Sequence, residues 1–297
     1  MRPLDLVTAA TTHRNAIALA ALLVVAIGAL WLLKEAAPVE RTPARAGAIA
    51  ELDISYGPHE RNRLDVYTPR ESGSHPTIIW FHPGGWVAGD KAASMPVWNW
   101  TKRGYAVVSV NYRYAIAPDT VADSVDDALA AATFVLDHHQ EWNLDPDRIG
   151  IYGFSAGGHL AAMVAHADLG VAAIAIAGAP TDFAPLLDPA ATFFDGNRGP
   201  AVVTAARALL GCTDSPETCD QLATESSPAQ LSPGSADLLI VHGDNDPIVD
   251  VDHAIRLHDH LVAEDSPPLL VIVEGAGHIP HVEKGGISAF FDERLLS

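Results

Sequence analysis

One junction constrains this chain more than any other stretch. Residues 148–154, RIGIYGF, form a continuous apolar strand pattern, and SAGGHLAAMVA begins a helical pattern at residue 155 with no loop between. A serine at that junction, framed as Gly153-Phe154-Ser155-Ala156-Gly157, has to stand on a sharp strand-to-helix turn. The flanking glycines let neighbouring backbone close around it. The start of the helix then offers free N–H groups and the positive end of its dipole. A Gly-rich turn with an N-capping serine has the same local sequence, so any chemistry must be argued from what the rest of the chain supplies.

The surrounding pattern is an α/β one. Strand-like runs occupy 52–57, 63–69, 76–82, 105–112, 148–154, 171–178, 236–243 and 268–274. The first two read as an antiparallel pair joined through Gly57-Pro58. Helical spacing appears at 120–138, 155–166, 200–210, 250–263 and 285–296. Buried apolar strands alternating with helices predict a mostly parallel eight-stranded sheet with helices on both faces. The stretch 180–232 breaks the rhythm and reads as a short cap insertion above the strand ends. No internal repeat is present.

Three further loops carry candidate chemistry. His82-Pro83-Gly84-Gly85-Trp86 follows a buried strand. The amides of Gly84 and Gly85, with that of Ala156, are candidate donors for an oxyanion. His242-Gly243-Asp244-Asn245-Asp246 follows the strand at 236–243. Asp246, further into the loop, is the candidate partner for an imidazole, with Asp244 as the alternative. Gly275-Ala276-Gly277-His278 follows the last strand. His278 is the candidate base for Ser155, with His281 as a rival. His138, His139 and His260 read as surface residues and His159 as structural.

Residues 16–33, AIALAALLVVAIGALWLL, contain no charge and lie between Arg14 and Lys34. As a helix this run is roughly 27 Å long, close to the thickness of a bilayer core. It reads as a transmembrane signal anchor or, second, as a signal peptide, after a flank at 1–15 and before a linker at 34–48. A catalytic domain then fills 49–297. Flanking charge does not decide orientation. The catalytic body is expected outside the cytoplasm, and secreted if the segment is cleaved.

The chain has a net charge of −19. Residues 1–50 hold five basic and three acidic side chains, so the remainder carries −21. Such a body repels phosphate backbones, which argues against a nucleic-acid partner. Cys212 and Cys219 lie in a polar, turn-like stretch, GCTDSPETCD. A disulfide between them is expected if the protein is exported, whereas a structural zinc site would need four ligands and no second pair exists.

From about residue 52 onward the chain resembles the α/β-hydrolases of the hormone-sensitive-lipase-like and bacterial carboxylesterase groups. HPGGWVAGDK is similar to their HGGGW-x-x-GDK segment and NYRYAIAP to their NYR-L-A-P stretch. HGDNDPIV is similar to their HG-x-x-D-x-x-V loop, and the region around Ser155 is closely similar to their nucleophile elbow. The order Ser155, Asp246, His278 is also the chain order of that fold. The resemblance implies hydrolysis of small carboxylic esters through an acyl-serine, without metal or organic cofactor. Pro83 stands where the pattern has its first glycine, but the resemblance assigns the oxyanion donors to the later glycines. His278 is followed by Ile-Pro where many relatives have Gly-Phe. Two other readings stay open: a kynurenine formamidase-like amidase, which shares these motifs, and a catalytically silent membrane-tethered binding protein, which would typically lack a triad member.

Overall fold

A computed structural model describes residues 48–92, 97–188, 200–212, 215–279 and 284–296. The apolar run 16–33, residues 34–47 of the linker and His281 lie outside the described residues. Among the described residues, no helix is long and apolar enough to cross a membrane.

Eight strands form one sheet: β1 (Ala48–Ser55), β2 (Arg63–Pro69), β3 (His75–Phe81), β4 (Ala106–Val110), β5 (Leu144–Phe154), β6 (Ala173–Ala177), β7 (Asp237–Gly243) and β8 (Leu269–Val273). Their spatial order is β1-β2-β4-β3-β5-β6-β7-β8. β1, β2 and β4 pair antiparallel, and every pair from β4 to β8 is parallel. This is the expected mostly parallel sheet with an antiparallel opening pair. β5 starts four residues earlier than its apolar run, because Leu144 pairs with His75 across a register shift.

Helices α1 (Val97–Thr101), α2 (Val121–Asp137), α3 (Ala156–His166), α4 (Ala184–Leu187), α5 (Pro200–Leu210), α6 (Pro216–Glu225), α7 (Asp252–Ala263) and α8 (Ile287–Leu295) complete the described elements. The period of two along β3 shows how the layers form. Ile78 and Trp80 pack into one core with Trp100 of α1 and Phe290, Phe291 and Leu295 of α8. Ile79 and Phe81 pack into the other with the buried faces of α2, α3 and α7. β3, β4 and β6 are therefore buried along their whole length and β5 from Ile149 onward, which is why they read as unbroken apolar runs, whereas β8 at the sheet edge stays partly exposed. α2 begins where the Asp123 carboxylate accepts the Thr120 N–H at 2.8 Å, a reciprocal use of unpaired helix-start donors.

The described parts of the insertion at 180–232 are built into this core. Phe183, Leu186, Ala206, Leu210, Cys219 and Ala223 are buried members of the same cluster as α2 and α3. The turn-like reading of GCTDSPETCD needs correction, since its second half is the start of α6. Ser215 caps that helix by accepting the Thr218 N–H, and Pro216 occupies its first turn. Cys212 and Cys219 are joined in a disulfide with Cα atoms 5.0 Å apart.

Candidate active site

The C-terminal ends of β3, β5, β7 and β8 bring four loops to one edge of the sheet, where ligands of open parallel sheets bind. Ser155 stands between β5 and α3 with φ 56° and ψ −123°, a backbone state that costs of order 1–3 kcal/mol and persists only where its surroundings enforce it. The enforcement is visible. The Ser155 N–H donates to the Ala177 carbonyl of β6 at 2.9 Å, and its carbonyl accepts the His159 N–H at 3.0 Å. α3 also lies hard against the end of β3. A Cβ on Gly157 would sit 2.1 Å from the Phe81 carbonyl oxygen and 2.6 Å from that of His82.

The loops after β7 and β8 meet at Ser155. The Ser155 hydroxyl donates to His278 Nε2 at 3.0 Å, and His278 Nδ1–H donates to Asp246 Oδ2 at 2.7 Å. The imidazole lies 4.8 Å from the Phe154 ring and against Gly178, where a Cβ would come within 3.3 Å of it. The Asp246 side chain is wholly buried and that of His278 nearly so. Asp246 Oδ1 accepts the amides of Ile248 and Val249 at 2.8 and 2.9 Å, which leaves Oδ2 for the histidine. Burial pushes the Asp246 pKa up, but the hydrogen bond and charge of His278 and the two amides outweigh it and hold the carboxyl below its ordinary range. A hydroxyl, an imidazole and a buried carboxylate in this line can pass a proton from Oγ to Nε2 while the carboxylate stabilises the imidazolium.

Asp244, the alternative acid, does something else. Its carboxylate accepts the Gly275 N–H at 2.6 Å and so pins the turn that precedes His278. His242, to which the sequence assigned no role, donates from Nε2 to the Val249 carbonyl at 2.8 Å and lies 3.5 Å from Asp246 Oδ2. It braces the acid loop from behind.

Gly84 and Gly85 lie in the loop after β3, with φ of 138° and 59°. A Cβ on Gly84 would meet the Ala88 carbonyl oxygen at 2.0 Å, and the Gly84 carbonyl accepts the amides of Val87 and Ala88. Ala156, the third candidate donor, is the first residue of α3. The far end of the loop is locked by charges that the sequence reading did not single out. Lys91, 3% exposed, donates its ammonium to Asp65 and, at 2.7 Å, to Asp53. Its N–H donates to Asn111 and its carbonyl accepts the Ser109 hydroxyl. Arg113 holds Asp127 through paired hydrogen bonds at 2.8–3.0 Å. A lysine after Gly-Asp and an aspartate at a core position of β2 are the available sequence signals, since a buried charge demands a partner. Near Ser155, the group of Asp246 and the histidines is a proton-transfer set. Among the described residues no group of three or more His, Cys, Asp or Glu side chains is arranged to hold a metal ion.

Comparison with known proteins places this arrangement. The chain is 39% identical over 111 residues to a probable isoprenylcysteine α-carbonyl methylesterase of Arabidopsis thaliana, covering 37% of this chain and 23% of that protein. It thus spans about a quarter of the length of that relative. The fold matches esterase B from Lactobacillus rhamnosis with a TM-score of 0.75 at 19% identity, over 95% of this chain and 96% of the other. It also matches a truncated carbohydrate esterase from gut microbiota with a TM-score of 0.72 at 23% identity, over 84% and 97%. These two likenesses establish the α/β-hydrolase fold. A family profile described as BD-FAE matches residues 64–261, which include Gly84, Gly85, Ser155, Ala156 and Asp246. That match takes in about two thirds of the sequence, and the chain belongs to the BD-FAE family.

Proposed function

We propose that this protein is a serine carboxylesterase acting on small carboxylic esters. The observation that carries the reading is the unbroken hydrogen-bonded line from Ser155 through His278 to Asp246, set at the start of α3. In this reading Ser155 Oγ attacks the ester carbonyl carbon while His278 Nε2 takes its proton. The carbonyl oxygen becomes an oxyanion held by the N–H groups of Gly84, Gly85 and Ala156. His278 then gives the proton to the leaving alcohol, and the acyl group stays on Ser155. A water attacks the acyl-serine, His278 takes its proton and returns it to Oγ, and the carboxylic acid leaves. The BD-FAE match supports this chemistry. Esters with short acyl groups on a carbohydrate alcohol are the proposed natural class, supported by the likeness to a carbohydrate esterase.

Residues 16–33 are proposed to tether the enzyme to a membrane with the catalytic body outside the cytoplasm. The uncharged run and the Cys212–Cys219 disulfide, a bond that persists in oxidising compartments, both support this.

The test is hydrolysis of p-nitrophenyl acetate, butyrate, octanoate and palmitate by the full-length protein in detergent, beside Ser155→Ala. Turnover that falls with acyl length and vanishes in the variant is expected. A folded wild type that cleaves no ester, but cleaves an N-formyl anilide, would replace the esterase reading with an amidase one. For the tether, activity should sediment with membranes after alkaline carbonate washing, and recovery in the wash would overturn it.

A further inference from the structure

Three consecutive residues of the loop after β3 hold positive φ: Gly84, Gly85 and Trp86, the last at 60°. Glycine reaches that region freely, but a tryptophan there is strained and must be held by its surroundings. Trp86 has three fixings. Its carbonyl accepts the Ala115 N–H at 2.7 Å. Its ring, 5% exposed, packs edge-on to His159 at 5.2 Å and beside Phe183 at 5.4 Å. Its indole N–H donates to His159 Nδ1 at 3.2 Å.

His159 is wholly buried one turn beyond Ser155, and its Nε2 lies 2.8 Å from the Ser226 carbonyl. An indole N–H only donates and a carbonyl only accepts, so the pairings require a neutral imidazole with its proton on Nε2. Burial, only partly opposed by the Ser226 hydrogen bond, lowers its pKa to about 4 and keeps it in that form. One side chain thus connects the glycine loop, the helix that carries the serine and the cap segment.

We propose that His159 is a positioning residue for ester hydrolysis, setting the Gly84 and Gly85 amides relative to Ser155 through the Trp86 indole. The inference rests on the serine-esterase reading. Donors fixed before substrate arrives are worth most where negative charge develops. A loop freed to drift therefore weakens the transition state more than the bound ester, and the loss falls on kcat rather than KM.

The experiment compares the full-length wild type with Trp86→Phe, His159→Leu and His159→Gln on p-nitrophenyl acetate. It also measures inhibition by phenylboronic acid, which forms a tetrahedral adduct on a reactive serine oxygen. Trp86→Phe removes the indole donor. Its kcat should fall about 10–100-fold with KM within about twofold, and phenylboronic acid should bind more weakly by a similar factor. His159→Leu cannot accept from the indole and should lose kcat as Trp86→Phe does. His159→Gln can still accept from the indole and donate to Ser226, so it should restore kcat to within about fivefold of the wild type. A folded His159→Leu with unchanged kcat overturns the proposal. Where Trp86→Phe fails to fold, β-(3-benzothienyl)alanine at position 86 removes only the N–H at nearly constant volume, and the same losses are expected. Unchanged kcat and unchanged boronate inhibition in a folded, donor-free protein overturn the proposal, as does a rise in KM alone. A wild type that hydrolyses no ester overturns the esterase reading and this inference with it, whereas an active wild type with unaffected variants overturns the inference alone.

Discussion

Asp246 owes its place to two backbone amides. They occupy Oδ1 and turn Oδ2 toward His278 Nδ1. Asp246→Asn would keep its carbonyl oxygen on those amides and present an NH2 group to His278. The imidazole would then have to accept at Nδ1 and carry its proton on Nε2, facing Ser155, which is the wrong form for a base. A loss of about 10⁴ in kcat is expected, with the fold intact by circular dichroism. Asp244→Asn should retain kcat within about tenfold, because among the described residues the Asp244 carboxylate accepts the Gly275 amide and an amide oxygen in its place can still accept. Equal losses in the two variants would refute the assignment. From position alone the sequence marked this residue as the more distal of two aspartates, and only the resemblance of HGDNDPIV to the HG-x-x-D-x-x-V loop added to that. Which carboxylate turns toward a histidine depends on amides that become available once the loop has folded. Ser155 was legible because its glycines and its strand-helix junction are local. The roles of His159 and His242 were not, because each depends on partners brought together by the tertiary fold.

At the scale of elements, the sequence pattern predicted every strand, the central ones because parallel strands buried on both faces announce themselves as apolar runs. It missed what periodicity cannot detect. α1 has five residues, too few for a helical stripe. α6 buries little beyond Cys219 and Ala223, though Ser215-Pro216-Glu217 is a helix-start signature. The first four residues of β5, Leu144 to Asp147, contain Pro146 and two charges and so lie outside the apolar run. The charged staple between β2 and the glycine loop left only a lysine after Gly-Asp and an aspartate at a core position as signals, and its removal is a test of how the loop is held. Lys91→Met leaves Asp65, 1% exposed, without the ammonium that neutralises it. Breaking a buried pair from one side costs about 3–5 kcal/mol, to be read from urea unfolding. Lys91→Met with Asp65→Leu removes the stranded charge and should recover part of that loss. A single variant as stable as the wild type would show that the staple contributes nothing to the fold.

For the whole molecule, acid stability is decided by two opposing effects. The chain's pI is about 4.9, so lowering the pH from 7.5 relieves the mutual repulsion of its surface carboxylates. That gain is diffuse and mostly screened at physiological salt, where charges more than about 8 Å apart interact weakly. Against it stand three buried imidazoles. Burial lowers His82 and His159 to about 4 and His253 to about 3. For His82, Arg61 lowers the pKa further, while the Pro83 carbonyl and Asp90 oppose the shift. For His253, the charges of His242 and Arg256 add to burial, and Asp250 and Asp246 oppose it. In the unfolded chain each takes a proton near pH 6.5. Between about pH 6.5 and 4 the unfolded state therefore binds more protons, and stability falls as pH falls. At pH 5.5 each group removes roughly 1 kcal/mol relative to pH 7.5, and the three act together against a surface gain that salt screens. Urea midpoints in 0.15 M salt should drop steeply between pH 7.5 and 5.5. His159→Gln, which has no imidazole to protonate, should show a drop smaller by about one third. A wild-type midpoint that holds steady or rises across that interval would mean that surface repulsion, not the buried imidazoles, governs acid stability.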